Sequence, residues 1–151
     1  MAALTQIHTW REFGLDELAD VAHDLVDLLP YHAVVAMHGP MGAGKTTLIR
    51  ALLRCWNVKE EGASPTFGLV HHHTGERGGV RFEIRHMDLY RMENEEEAER
   101  AGIADMLAEQ AMHLVEWPER IPGLMPSDAW LIELSHATNG KRTCILSAFR
   151  D

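Results

Sequence analysis

The chain has 151 residues, of which 46% are hydrophobic and 25% are charged, and its formal net charge is −9 at pH 7. This length predicts a single domain over residues 1–151, and the composition excludes a disordered tail, a collagen-like repeat and a disulfide scaffold. The acidic balance disfavours autonomous binding of DNA or RNA, because an acidic surface repels phosphate backbones.

The sequence carries no sign of export or of a membrane span. Its longest uninterrupted apolar stretch, residues 33–37, is far shorter than the roughly 20 residues that cross a bilayer. The first ten residues lack the basic start and apolar core of a signal peptide. Cys55 and Cys144 lie in unrelated segments without a CxxC pattern, which predicts two buried thiols rather than a zinc site or a redox pair. We therefore expect a cytoplasmic protein.

The first half of the chain has the element order of an α/β domain. Residues 15–29 place leucine and alanine at spacings of three and four, with acidic residues between them, which predicts an amphipathic helix closed by Pro30. Residues 33–37 form a continuous apolar run, typical of a parallel strand that is buried on both faces. Residues 46–56 return to helical spacing. The order is therefore helix, strand, glycine loop, helix.

The glycine loop matches GxxxxGK[ST], the phosphate-binding P-loop motif, and it lies between a strand and a helix as the motif requires. The glycines let backbone N–H groups converge on phosphate oxygens. We expect Lys45 to reach the β- and γ-phosphates and the Thr46 hydroxyl to bind Mg²⁺. The alternative, an ordinary glycine turn, is disfavoured by the flanking strand and helix. The predicted nucleotide-binding residues are Gly39, Pro40, Met41, Gly42, Ala43, Gly44, Lys45, Thr46 and Thr47.

The middle of the chain predicts a β-hairpin. Residues 66–74 and 80–88 are rich in β-forming residues, and the glycines at 75, 78 and 79 separate them. Alternation along the second arm places one set of side chains on a common face: Phe82, Ile84, His86 and Asp88. The run from His71 to His73 suggests a metal site, but His72 is expected to point away from its two neighbours. An exposed hairpin face is therefore favoured over a metal site.

Three further elements complete the predicted fold. Asn94 is a suitable N-cap for a helix whose first turn contains three glutamates. Leu114 and Val115 belong to a short buried strand that ends at Glu116. Residues 129–136 and 142–148 predict two strands joined by a hairpin turn around Asn139.

Two acidic residues stand at predicted strand ends. Asp88 ends the second arm of the hairpin, and Glu116 ends the strand that contains Leu114. A magnesium-bound triphosphate needs such an acid beside the P-loop threonine. Together with Thr46, these two carboxylates are candidates to hold the metal and to orient a water molecule. Solvated turns and helix caps are the structural alternatives.

Four segments in this order and spacing resemble the TsaE (formerly YjeE) family. They are GPMGAGKTT at 39–47, SPTF at 64–67, HMDLYR at 86–91 and LVEWP at 114–118. TsaE proteins are small bacterial ATPases needed to form the threonylcarbamoyl modification of adenosine 37 in tRNA. The resemblance implies a P-loop NTPase-like three-layer sandwich, whose mixed sheet has a parallel core with antiparallel strands added.

The resemblance also implies roles for individual residues. Asp88 and Glu116 are expected to serve magnesium and hydrolysis, and with Lys45 they form the expected catalytic set. The segment of Ser64, Pro65 and Thr66 is expected to act as a nucleotide-sensing switch, and Trp117 is expected to lie near the nucleotide. Met87, Gly68 and Pro40 depart from the common family pattern, but they supply none of the expected phosphate or metal ligands.

The function implied by the resemblance is that of an ATP-hydrolysing subunit with ATP and Mg²⁺ as cofactors. Its expected partners are TsaD and TsaB, in a complex that forms N6-threonylcarbamoyladenosine at position 37 of tRNAs reading codons that begin with A. The tRNA is then contacted only through the complex, and hydrolysis by the isolated chain is weak until partners stimulate it. Two alternatives remain open, a small-molecule P-loop kinase and a nucleotide-gated binding module with negligible turnover.

Overall fold

The computed structural model describes residues 3–59 and 68–150, and its backbone alternates strands with helices. The expected switch residues Ser64, Pro65 and Thr66 lie outside the described residues. The helices are α1 (Leu18–Leu28, preceded by a 3₁₀ turn at Leu15–Glu17), α2 (Lys45–Cys55), α3 (Glu95–Arg100) and α4 (Ile103–Leu107). The strands are β1 (Ala3–Phe13), β2 (Ala33–His38), β3 (Val70–Arg77), β4 (Val80–Asp88), β5 (Met112–Glu116), β6 (Trp130–His136) and β7 (Arg142–Arg150).

The seven strands form one mixed sheet in the order β1-β7-β6-β2-β5-β4-β3. The four central strands β6, β2, β5 and β4 are parallel to one another. Antiparallel strands extend both sides: β7 pairs with β6 and β1 with β7, while β3 pairs with β4. The predicted mixed sheet with a parallel core and added antiparallel strands is confirmed.

Helices cover both faces of the sheet and give three layers. On one face, α1 and α2 pack onto a cluster that includes Val35, Met37 and Leu114. On the other face, α3 and α4 pack with Met87 and Val115 in a second cluster. Neighbouring residues of β5 thus enter opposite cores, because successive side chains of a strand point to opposite faces.

Most predicted elements are confirmed at or near their expected bounds. The first helix ends where Leu29 becomes extended beside Pro30, since the residue before a proline avoids the helical region. Asn94 caps α3 through its Oδ1, which accepts a hydrogen bond from the Glu97 N–H at 2.9 Å. Among the described residues, no helix is long and apolar enough to span a membrane.

Two expectations fail in detail, those for Gly75 and Cys55, and one strand was missed. Gly75 lies inside β3 rather than in the hairpin turn, where an added Cβ would stand 2.7 Å from Ile84 Cδ1 and 3.2 Å from the Trp56 carbonyl oxygen. Strand β1 was not predicted, because only Trp10 and Phe13 of its side chains are buried. Cys144 is buried, and burial raises its pKa to about 12, whereas Cys55 is only half-buried at the end of α2.

Candidate functional site

The carboxyl ends of three parallel strands lie level with one another at one edge of the sheet. Met37 of β2 is in register with Glu116 of β5, and Glu116 is in register with Asp88 of β4. Open α/β sheets bind ligands at this edge, in the crevice beyond the carboxyl ends of their strands. The fold therefore brings both predicted acids to the edge from which the P-loop departs.

The P-loop connects β2 to α2 with the conformation that its glycines permit. Gly42 and Gly44 have φ values of 80° and 102°, a region that favours glycine. At Gly39, an added Cβ would stand 2.7 Å from the Leu134 carbonyl oxygen, so the loop leaves β2 in close contact with β6. Helix α2 begins at Lys45, and the N–H groups of its first turn have no intrahelical partners. Such N–H groups and the helix dipole favour a bound anion.

The side chain of Lys45 is buried beneath an aromatic residue. Its Nζ donates to the Gly39 carbonyl oxygen at 2.7 Å and lies 3.8 Å from the centre of the Trp117 ring. Trp117 follows β5 directly and adopts left-handed backbone angles, φ 60° and ψ 49°, which are strained for a bulky residue. Its ring also contacts Tyr90 at a centroid distance of 5.1 Å. This backbone turn therefore holds the indole over the ammonium group.

A cavity of about 600 Å³ opens at this edge, within the size range of small-molecule sites. The predicted residues that line it are Met41, Gly42, Ala43, Gly44, Lys45, Thr46, Thr47, Asp88, Glu116 and Trp117. Gly39 and Pro40 belong to the loop but are not among the lining residues. The structure thus brings the P-loop, both acids and the tryptophan around one space.

The two acids differ in their surroundings. Asp88 is exposed, and its Oδ1 accepts a hydrogen bond from the Tyr90 N–H at 3.1 Å. The Glu116 side chain is only 5% exposed, and its Oε2 lies 2.6 Å from His86 Nε2. His86 therefore restrains the orientation of one carboxylate, whereas the other stands open to the cavity.

Two histidines of β3 stack in a row beside His86, the residue that contacts Glu116. The ring of His71 packs on His86 at a centroid distance of 5.5 Å, and His73 packs on His71 at 6.4 Å. Burial lowers the pKa of both His71 and His73, and the charge of the neighbouring His86 lowers it further. His72 is exposed between them, as the strand alternation predicted.

The oxygen atoms of the cavity suit a hard cation. Thr46 contributes a hydroxyl, and Asp88 and Glu116 contribute carboxylates, to the same lining. Mg²⁺ selects oxygen ligands and usually keeps water and phosphate oxygens in its shell rather than a complete protein cage. Within residues 3–59 and 68–150, no group of three or more His, Cys, Asp or Glu side chains is arranged to hold a metal ion.

Sequence reasoning missed one wall of the cavity. Tyr90, which lies in the HMDLYR segment at 86–91, lines the cavity but was given no role from the sequence. The other unpredicted lining residues are Phe13, Gly14, Leu15, Leu18, Leu48, Leu134, Gly140 and Arg142. Most come from the end of β1 and the turn into α1, or from β6, the β6–β7 connection and the start of β7, while Leu48 belongs to α2. No local motif marks them as ligand contacts. The sequence predicted the helix over residues 15–29 and the hairpin around Asn139, but it linked neither of them to a ligand site.

Known proteins share sequence and fold with this chain. Residues 14–144 match a family model described as "Threonylcarbamoyl adenosine biosynthesis protein TsaE". A Haemophilus influenzae protein named tRNA threonylcarbamoyladenosine biosynthesis protein TsaE is 38% identical over 128 residues, covering 77% of each chain. A Bacillus subtilis protein of the same name is 28% identical over 139 residues, covering 92% of this chain and 84% of its own length.

A solved structure shares the fold. The crystal structure of Bacillus subtilis YdiB superposes with a TM-score of 0.72 and 23% identity, covering 98% of this chain and 87% of the other. The family match extends over the P-loop, both strand-end acids and most of the sheet. The chain therefore belongs to the TsaE family, whose role lies in the biosynthesis of threonylcarbamoyladenosine in tRNA.

Proposed function

We propose that this chain binds ATP with Mg²⁺ in the P-loop cavity and hydrolyses it as a regulatory subunit of the tRNA-modifying assembly. The observation that carries the proposal is the common cavity lined by the P-loop, Lys45, Thr46 and the two strand-end acids. TsaB and TsaD are the proposed partners, and the proposed product is N6-threonylcarbamoyladenosine at position 37 of tRNAs that read codons beginning with A. Hydrolysis then resets the complex rather than phosphorylating a metabolite.

Each part of the cavity has a distinct task in this proposal. The amides of the P-loop and the first turn of α2 bind phosphate oxygens, and Lys45 exchanges its bond to the Gly39 carbonyl oxygen for the β- and γ-phosphates. Thr46 and the two acids hold Mg²⁺, which when bound neutralises charge on the phosphates. In this proposal Glu116, whose carboxylate contacts His86, directs a water molecule.

We propose that turnover by the isolated chain is weak because the arginine that lines the cavity is already bound to backbone oxygens. A positive group on the transferring phosphate is worth about 10³ to 10⁵ in rate. Arg142 is the arginine among the lining residues, but its donors are engaged by backbone carbonyls of the P-loop and the β6–β7 connection. We therefore propose that a partner completes the catalytic site.

The surface around the cavity supports a docked partner. Leu15 is 82% exposed, Met41 64% and Tyr90 45%, although each lines the cavity. Large exposed apolar side chains that cluster around one opening are typical of interaction sites. The formal charge of −9 supports indirect contact with tRNA through the partners, because tRNA is itself polyanionic. We also propose a single domain acting in the cytoplasm.

A phosphate-release assay tests the proposal and separates it from the two alternatives. The purified chain is incubated with Mg·ATP alone, with TsaB and TsaD, and with candidate small-molecule acceptors. We expect slow release that the two partners accelerate. Acceptor-dependent loss of ATP without phosphate release supports a kinase, whereas nucleotide binding without turnover under any condition supports a gated binding module.

A further inference from the structure

Arg142 joins two walls of the cavity. Arg142 is the first residue of β7, and it pairs with Phe13 of β1 and His136 of β6. From there, Nε donates to the Ala43 carbonyl oxygen at 2.9 Å, and Nη2 donates to the Gly42 carbonyl oxygen at 3.2 Å. Nη1 donates to the carbonyl oxygens of Gly140 and Lys141 at 2.9 and 3.2 Å. One guanidinium therefore connects the P-loop to the β6–β7 connection.

These bonds fix the direction of two peptide groups in the P-loop. In a trans peptide, the C=O of one residue and the N–H of the next point in opposite directions. Because Arg142 holds the Gly42 and Ala43 carbonyls, the N–H groups of Ala43 and Gly44 must point away from the guanidinium. The Ala43 N–H donates to the Pro40 carbonyl oxygen at 3.1 Å and tightens the loop. The Gly44 N–H is directed away from Arg142 immediately before the first turn of α2.

The electrostatic consequence favours a bound phosphate. A carbonyl oxygen that turned toward the phosphates would place partial negative charge beside an anion. The guanidinium instead binds the negative ends of both peptide dipoles through charge-assisted hydrogen bonds. The side chain also stands close behind the loop, since a Cβ added at Gly44 would lie 3.9 Å from its Nε.

We infer that Arg142 is a positioning residue for the P-loop, which it holds tight and with the Gly44 amide oriented for phosphate before the nucleotide arrives. The inference rests on the proposed nucleotide site and adds a residue that lies outside the P-loop motif. Arg142 acts through the loop, because its own donors are engaged with backbone oxygens. Such preorganisation raises affinity by reducing the loss of conformational freedom on binding.

The chemistry of arginine is required for this role. Its planar fork presents donors to two successive carbonyls and, on another edge, to the β6–β7 connection. A lysine supplies one flexible ammonium with the same charge and does not reproduce the fork. Lys141 is the matched control, because it is exposed in the same connection and carries the same charge. A loss of nucleotide affinity on substitution of Arg142 but not of Lys141 therefore separates the effect of geometry from that of net charge.

Calorimetric titration of the full chain with Mg·ATP and Mg·ADP tests the inference. We expect Arg142→Ala to weaken both affinities by about 10- to 100-fold, the range for lost hydrogen bonds to a charged donor. Arg142→Lys should recover little of this loss, and Lys141→Ala should remain within about threefold of the wild type. Millimolar guanidinium at matched ionic strength should partly restore binding to Arg142→Ala.

Hydrogen exchange without nucleotide distinguishes loop positioning from general destabilisation. In Arg142→Ala, the amide of Ala43, which donates to the Pro40 carbonyl oxygen, should exchange faster, while the amide of Leu52 in α2 keeps its protection. Wild-type affinity in Arg142→Ala, full recovery in Arg142→Lys, or uniformly faster exchange along α2 would each overturn the inference. Failure of the wild-type chain itself to bind nucleotide would instead refute the proposed function.

Discussion

Replacing Lys45 with methionine removes the ammonium from the P-loop while keeping most of the buried stem. At about 4 Å and an effective dielectric constant of about 20, one ammonium stabilises one phosphate charge by about 4 kcal/mol. Part of this is offset, because the ammonium gives up the Gly39 carbonyl at 2.7 Å and its position 3.8 Å from the Trp117 ring. A net loss of about 2 to 3 kcal/mol corresponds to about 30- to 150-fold weaker ATP binding.

Calorimetry with Mg·ATP measures this loss, and Lys141→Met is the control for a charge change on an exposed lysine. We expect the control to bind within about twofold of the wild type. The melting temperature of Lys45→Met without nucleotide should not fall, because the lost charge came from a position that is only 7% exposed. Unchanged ATP affinity in a folded Lys45→Met chain would refute the assignment of the P-loop lysine.

Three further predictions concern other groups. Asp88→Asn and Glu116→Gln should each lower turnover with partners at least about tenfold while changing ATP affinity less than threefold; equal losses in both quantities would contradict their assignment to metal and water. Trp117→Phe should abolish the nucleotide-dependent change in tryptophan fluorescence, and a persisting change would assign that signal to another indole. Burial lowers the pKa of His113, so acidification favours the unfolded state, in which this ring binds a proton more readily. The contribution of the neutral His113 ring to the free energy of unfolding is fully present above about pH 6.5. It is lost as pH falls toward the folded-state pKa, by up to about 1.4 kcal/mol per pH unit. Urea unfolding should therefore be less pH-dependent in His113→Leu, and equal pH slopes would contradict this.

The sequence predicted the parts of the site that depend on local patterns. The P-loop was recognisable because its glycines, Lys45 and Thr46 occupy fixed positions in one short segment. Asp88 was recognisable because it ends a strand with clear alternation, and Glu116 because it ends a short apolar run. Parallel strands then bring their carboxyl ends together, so no knowledge of the three-dimensional contacts was required.

The unpredicted parts depend on contacts between distant segments. Arg142 lies 99 residues from Ala43 along the chain, and no motif relates the two positions. Strand β1 buries too few side chains to show a clear alternation, and it is held mainly by its pairing with β7. Gly75 was taken for a turn residue because the sequence does not reveal that Ile84 and Trp56 leave no room for a side chain. These features follow from packing rather than from local propensity.

A structure of the chain with Mg²⁺ and a non-hydrolysable ATP analogue tests the central claim most directly. The account predicts phosphate oxygens within hydrogen-bond distance of Lys45 Nζ and of the P-loop amides. It predicts Mg²⁺ bound to the Thr46 hydroxyl, with the Asp88 and Glu116 carboxylates in direct contact or one water away. A nucleotide bound outside this cavity, or carboxylates well beyond water-bridging distance of the metal, would contradict it.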